Sequence, residues 1–202
     1  MSGIFSRRPV LIAVAAVVLA VAAGGTALAL TTSSPSHVVL MSSAGRSRAE
    51  LEVTAGTSVL DVSVANLHGD LLRVSTPDNV PVRPVLSGSA PIKLSFAGAA
   101  APAGHGAAYA VKVVLSSSVV WSLDFAGGTQ RTQADLRGGQ VGAIAVTAGS
   151  DIVDMSLPRP NGTLPFRLAG GISQFMLSLP GGVPATSGFS SLTVSRWYPA
   201  GS

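Results

Sequence analysis

Along much of this chain, apolar side chains return at every second position. Leu60, Val62 and Val64 alternate with Asp61 and Ser63; Ile92, Leu94 and Phe96 enclose Lys93 and Ser95; Tyr109, Val111, Val113 and Leu115 enclose Lys112. The pattern sharpens further on, where Trp121, Leu123 and Phe125 alternate with Ser122 and Asp124. It returns in Val153, Met155 and Leu157, in Leu164, Phe166 and Leu168 around Arg167, and in Phe175, Leu177 and Leu179 around Met176 and Ser178. Period two sends successive side chains to opposite faces of a strand, so each run offers one apolar and one polar face. Strands of about five or six residues are predicted, with no amphipathic helix beyond residue 36.

Glycine punctuates these runs. Gly127-Gly128, Gly138-Gly139, Gly149-Ser150, Asn161-Gly162, Gly170-Gly171 and Gly181-Gly182 stand between strands. Gly127 to Gly138, Gly138 to Gly149 and Gly170 to Gly181 are each steps of eleven residues. Two all-β architectures fit short strands at regular spacing: a single-chain β-solenoid whose rungs stack, or an antiparallel β-sandwich. Near-constant spacing and an inward apolar stripe on every strand favour the solenoid. Asp124 and Asp135, eleven residues apart, take matching phases, which places both on one face in this reading.

The N-terminal stretch follows another rule. Arg7 and Arg8 precede a nearly unbroken run of apolar and small residues from Val10 to Leu30, and no charge appears from Pro9 through Ser36. As a helix this run spans roughly 30 Å, the thickness of a bilayer's hydrocarbon core. The arginines ahead of it, with the next cation at Arg46, keep the N-terminus in the cytoplasm and send the remainder outside. The expected organisation is a cytoplasmic N-terminus (1–9), a transmembrane helix or uncleaved signal anchor (10–30), a polar, Pro-punctuated linker (31–45) and an extracytoplasmic β-domain (46–202). The alternative is a cleaved signal peptide, with Ala27 and Ala29 as the small-x-small site and a secreted product.

Composition narrows the function classes. Charged residues make up 11% and hydrophobic residues 47%, which fits a packed body rather than a disordered tail. The formal charge is +4, yet its cations are scattered and no basic patch interleaved with aromatics occurs, so no nucleic-acid partner is expected. The absence of cysteine excludes disulfides, thiolate metal sites, a cysteine nucleophile and a lipid-bearing cysteine.

Residues 121–185, with their Gly-Gly-spaced strands and "GGISQFMLSLPGGVP", resemble the toast-rack, adhesin-type β-solenoid domains that follow a single membrane span in bacterial envelope proteins. The Ala-, Val- and Arg-rich composition is similar to that of actinobacterial chains. The resemblance implies a β-solenoid with adhesin-like, sensing or accessory roles in the envelope, and it carries no catalytic residues. Such domains add further strands after the "PGGVPA" corner, whereas "TSGFSSLTVSRWYPAGS" follows here.

Candidate chemistry is sparse. His37, His68 and His105 are isolated and lack the paired spacing of zinc ligands. Asp151 and Asp154 are an odd number of residues apart, so on a strand they face opposite ways and do not converge. G-x-S-x-G, P-loop and H-E-x-x-H motifs are absent. Asn161-Gly162-Thr163 matches a glycosylation sequon but is explained by turn chemistry. The candidate surface contacts are Asp124 and Asp135, whose stacked charges could recruit a cation, and Trp197 and Tyr198 beside Arg196, as a contact or as a lid over the last rung. No catalytic residue, metal or cofactor is expected. The function expected is a non-catalytic, membrane-anchored binding, sensing or adhesin-like module facing an envelope protein or wall polymer. The alternatives are a surface hydrolase with an unrecognised site and a purely structural envelope spacer.

Overall fold

Period-two runs separated by tight corners bury their apolar faces most economically when two sheets close on one core. The computed structural model describes residues 37–98 and 109–184, and every regular element in them is a strand. In chain order these are β1 (Val38–Ser42), β2 (Arg48–Val53), β3 (Thr57–Ala65), β4 (Asp70–Ser75), β5 (Arg83–Ser87), β6 (Ile92–Ala97) and β7 (Ala110–Ser116). They continue with β8 (Val120–Phe125), β9 (Thr129–Asp135), β10 (Gln140–Val146), β11 (Ser150–Ser156), β12 (Phe166–Leu168) and β13 (Ile172–Ser178). The all-β expectation is met. The anchor expected at residues 10–30 lies outside the described residues. β1 falls within the stretch expected as a linker: "VVLMS" pairs antiparallel with β4, so the β-body reaches back to Val38.

The strands form a seven-stranded sheet ordered β1-β4-β7-β3-β9-β11-β13 and a six-stranded sheet ordered β12-β10-β8-β2-β6-β5. From β8 onward the chain alternates between them. Each strand lies parallel to the one two places earlier: β8 with β10, β9 with β11, β10 with β12 and β11 with β13. Thr129 is opposite Ser150 and Ser150 opposite Ile172, so one full turn takes 21 or 22 residues. The eleven-residue step of the glycines is half of that, one strand and one corner. Antiparallel pairing is confined to β1–β4, β4–β7 and β5–β6.

Spatial order departs from chain order at the start. The β2–β3 rung is central, with β6–β7 parallel to it on one side and β8–β9 parallel on the other. β1, β4 and β5 then close the β6–β7 end.

Inward residues stack in columns along the rungs. In the six-stranded sheet Ile92, Leu51, Leu123, Ile144 and Phe166 form one column, and Leu94, Val53, Phe125, Val146 and Leu168 form the next. In the seven-stranded sheet Val113, Val62, Ala134, Met155 and Leu177 do the same. Most of these are fully buried in one cluster fed by both sheets. Each buried Leu or Val contributes roughly 1.5–3 kcal/mol, whereas an exposed ion pair contributes about 0–1 kcal/mol, so the columns carry the stability. Trp121, the largest core side chain, donates its indole N–H to the Ser116 carbonyl at 2.9 Å, which satisfies its polar atom inside the core.

The corner from the six-stranded to the seven-stranded sheet repeats a short motif: Thr54-Ala55-Gly56-Thr57, Ala126-Gly127-Gly128-Thr129, Thr147-Ala148-Gly149-Ser150 and Ala169-Gly170-Gly171-Ile172. Backbone bonds continue through it. The Val53 carbonyl accepts from the amides of Ala126 and Gly127 at 2.9 and 2.7 Å, and the Phe125 carbonyl from those of Thr147 and Ala148 at 3.0 and 3.2 Å. One residue on, the Gly128, Gly149 and Gly171 carbonyls accept from Thr57, Thr129 and Ser150 at 3.1, 3.1 and 2.9 Å. Just inside runs a hydroxyl relay. Thr132 and Thr129 are 2.7 Å apart, Thr129 and Ser150 are 2.8 Å apart, and Ser150 donates to the Ile152 carbonyl at 3.1 Å.

This close stacking leaves no room for side chains at two positions. A Cβ on Gly127 would collide with the Ala55 carbonyl, and one on Gly170 with that of Ala148, while a Cβ on Gly171 meets nothing within 4 Å. Gly127→Ala and Gly170→Ala are therefore expected to lose about 1–3 kcal/mol in urea unfolding. Gly171→Ala should stay within about 0.5 kcal/mol of the parent. Equal losses at all three positions would contradict corner stacking as the cause.

Candidate functional site

With the inward positions committed to the core, chemistry available to a partner lies on the outward columns. On the six-stranded sheet one column reads Lys93, Glu52, Asp124, Ala145, Arg167 from rung to rung. Glu52 and Asp124 are direct cross-strand neighbours, an arrangement that like charges disfavour. Each has its own relief. The Lys93 ammonium is 3.1 Å from Glu52 Oε2, and the Thr147 hydroxyl, from the next corner, donates to Asp124 Oδ1 at 3.0 Å. Glu50, two residues before Glu52, is exposed beside Ser122.

The seven-stranded sheet carries a parallel set of outward columns: Lys112, Asp61, Gln133, Asp154, Met176 in one, and Val114, Ser63, Asp135, Ser156, Ser178 in the next. At the edge of the second, Arg137 folds back on Asp135, with Nε 2.8 Å from Oδ1 and Nη2 2.6 Å from Oδ2. The two side chains border a shallow, open hollow lined also by Ser63, Val64 and Gly138. The bidentate bond from Arg137 holds the Asp135 carboxyl below the usual aspartate range, and Asp135 in turn raises the guanidinium.

Asp124 and Asp135 do not share a face. Eleven residues are half a turn, and the corner at Ala126–Gly128 carries the chain from β8 in one sheet to β9 in the other. Asp124 stacks on Glu52 instead. The two aspartates therefore do not form a common cation site, and each is satisfied by its own donor. Trp197, Tyr198 and His105 lie outside the described residues. His37 bonds through Nδ1 to the Thr76 hydroxyl at 3.0 Å, and that hydroxyl donates to the Val82 carbonyl at 2.8 Å. His68 takes a positive φ in the β3–β4 turn, its amide bonded to Asn66 Oδ1 at 3.0 Å. Among the described residues no group of three His, Cys, Asp or Glu is placed to hold a metal ion.

Glu52, Lys93 and Thr147 escaped the sequence reading. The signal for Glu52 was the corner motif itself. Four residues before the third corner residue in each repeat, at Gly56, Gly128, Gly149 and Gly171, stand Glu52, Asp124, Ala145 and Arg167, the column seen here.

No protein-family model matches the chain, and no curated protein matches it. Among solved structures, it is similar to a provisionally assigned cell adhesion protein from Clostridium sporogenes. The TM-score is 0.57 at 14% identity, over 72% of each chain. A provisionally assigned adhesin from Parabacteroides distasonis also matches, over 70% of this chain and 68% of that one at 13% identity. Its TM-score of 0.25 is too low to carry an argument. The first likeness is one of fold.

The Asp135–Arg137 pair yields a pH test. A depressed folded-state pKa adds stability that is present above the ordinary aspartate range and is lost as pH falls through the folded value. Arg137→Ala is expected to move the Asp135 carboxyl titration, followed by NMR, upward toward the ordinary range. An unmoved titration would show that Arg137 is not the cause.

Proposed function

We propose that this chain is a non-catalytic, adhesin-like binding module of the bacterial envelope. Residues 10–30 anchor it in the membrane, and the β-body, wound as a toast-rack-type solenoid, is displayed outside. The observation that carries this reading is the parallel, in-register stacking of rungs, which fixes outward side chains in straight columns on two faces. Rigid arrays of that kind suit a partner that itself repeats or presents a flat surface, a wall polymer or an envelope protein, because contact needs little ordering of the module. The fold shared with a provisionally assigned cell adhesion protein supports the same reading. The Arg7-Arg8 pair ahead of the apolar run supports the orientation.

The test places a photo-crosslinking residue at single outward positions of the full-length chain in a living envelope. Positions 50, 52 and 124 sample one face, and 61, 133 and 154 the other. Cross-links to one polymer or protein are expected from one face only. A Glu52→Lys/Asp124→Lys variant, or Asp61→Lys/Asp154→Lys if that face is the active one, should reduce them at least fivefold. Background labelling at all six positions would favour the structural spacer. A phosphatase reporter fused after Ser202 should be active outside the cell, and cytosolic activity would overturn the orientation.

A further inference from the structure

The outward face of the seven-stranded sheet sorts its charge by position. From strand to strand, one column runs Val38, Ser75, Lys112, Asp61, Gln133, Asp154, Met176, and the next runs Leu40, Arg73, Val114, Ser63, Asp135, Ser156, Ser178. In these columns the cations fall on β4 and β7 and the anions on β3, β9 and β11. The boundary between β7 and β3 therefore divides a positive half from a negative one. Asp70 at the start of β4, Arg131 beside Val59 and Ile152, and Arg137 after β9 stand outside the two columns, and Arg137 is already bound to Asp135.

Two further observations suit this face to a protein surface. Among the described residues the ion pairs are Lys93–Glu52 and Arg137–Asp135, so Arg73, Lys112, Asp61 and Asp154 close none, although Lys112 and Asp61 are cross-strand neighbours. Apolar side chains are interleaved with these charges. Leu40 is 53% exposed, and Val59, Val114, Ile152 and Met176 are half-buried on the outward side.

We propose that this face docks on the same face of a second copy of the chain. A face split into opposite charges is complementary to itself under a two-fold rotation. With the axis along the strands at the β7–β3 boundary, β7 lies over β3 of the second copy and β4 over its β9. Lys112 then faces Asp61 and Arg73 faces Asp135 of the second copy, and each contact occurs twice. At the centre, the Lys112 and Asp61 side chains of both copies complete a square of alternating charge of which one copy supplies half. The interleaved apolar side chains are covered in the same step. Six overlapping strands about 4.8 Å apart, with roughly 20 Å of length each, give about 600 Å² per copy, or about 1,200 Å² in all, the lower end of a specific interface. The proposal goes beyond the envelope-binding reading: it leaves the six-stranded face, with Glu50, Glu52 and Asp124, for the envelope partner.

Sedimentation velocity of the full-length chain in detergent tests this without any envelope ligand, so its outcome is separate from that of the cross-linking experiment. The parent is expected to dimerise, and Lys112→Glu and Asp61→Lys are each expected to weaken the dimer at least tenfold. Both substitutions are of outward residues, so the fold is retained. An equimolar mixture of the two variants should restore the dimer, because each then carries the charge its counterpart lacks. Glu52→Lys/Asp124→Lys, on the other sheet, should leave it unchanged. A parent that stays monomeric would overturn the proposal. So would a dimer that both single variants leave intact, which would place self-association elsewhere in the chain, and so would a loss that mixing does not restore.

Discussion

Hydrogen-bonded strands lie about 4.8 Å apart, and a chain that turns the same corner on every rung must pack corner on corner at that spacing. The rest of this structure depends on that constraint. At Gly127 and Gly170 the backbone of one corner sits against the carbonyl of the corner beneath, with no space for a Cβ. In return the carbonyls of Val53, Phe125 and Val146 each accept two amides from the next corner, so backbone polar groups stay satisfied where the chain leaves the sheet. Fixing the corners fixes the register of the strands on both sides, and register decides which side chains face the core.

Everything outward follows from the same register. Lys93, Glu52, Asp124, Ala145 and Arg167 form a line because each stands at one position of its rung, although the chain separates Glu52 from Asp124 by 72 residues. The interactions along the line are weak ones, a partly exposed ion pair and a single hydroxyl bond. They tune a surface that the apolar columns already hold rigid. Outward residues can therefore change on such a body at small cost to folding.

Much of the body was legible in the sequence, and the gaps have physical causes. Trp121, Leu123 and Phe125, and Val153, Met155 and Leu157, announce their strands because the inward residues are large and apolar. β9 does not, since its inward positions are held by Thr132 and the small Ala134. β10 breaks period two at Gly142, where the pairing with β8 shifts by one residue. The eleven-residue glycine spacing was real, but glycines mark both corners of a turn, and spacing alone does not say whether a step returns the chain to the same sheet. That ambiguity put Asp124 beside Asp135. Ala55-Gly56 passed unnoticed because it lies far ahead of the regular glycine series that begins at Gly127, and with it went the alignment that would have set Glu52 against Asp124. The placement of β6–β7 and β8–β9 on opposite sides of β2–β3 leaves no local trace, since it rests on pairing between strands far apart in the chain, Glu52 with Asp124 among them.

The cysteine-free chain offers a direct measurement of this winding. Two double variants, Glu52→Cys with Asp124→Cys and Asp124→Cys with Asp135→Cys, are oxidised gently and their intramolecular disulfide yields compared. Adjacent parallel strands bring Cα atoms within disulfide reach, so the first pair should close readily and the second, split between sheets, should stay reduced. Closure of the second pair and not the first would contradict the stacking of rungs on which the account rests.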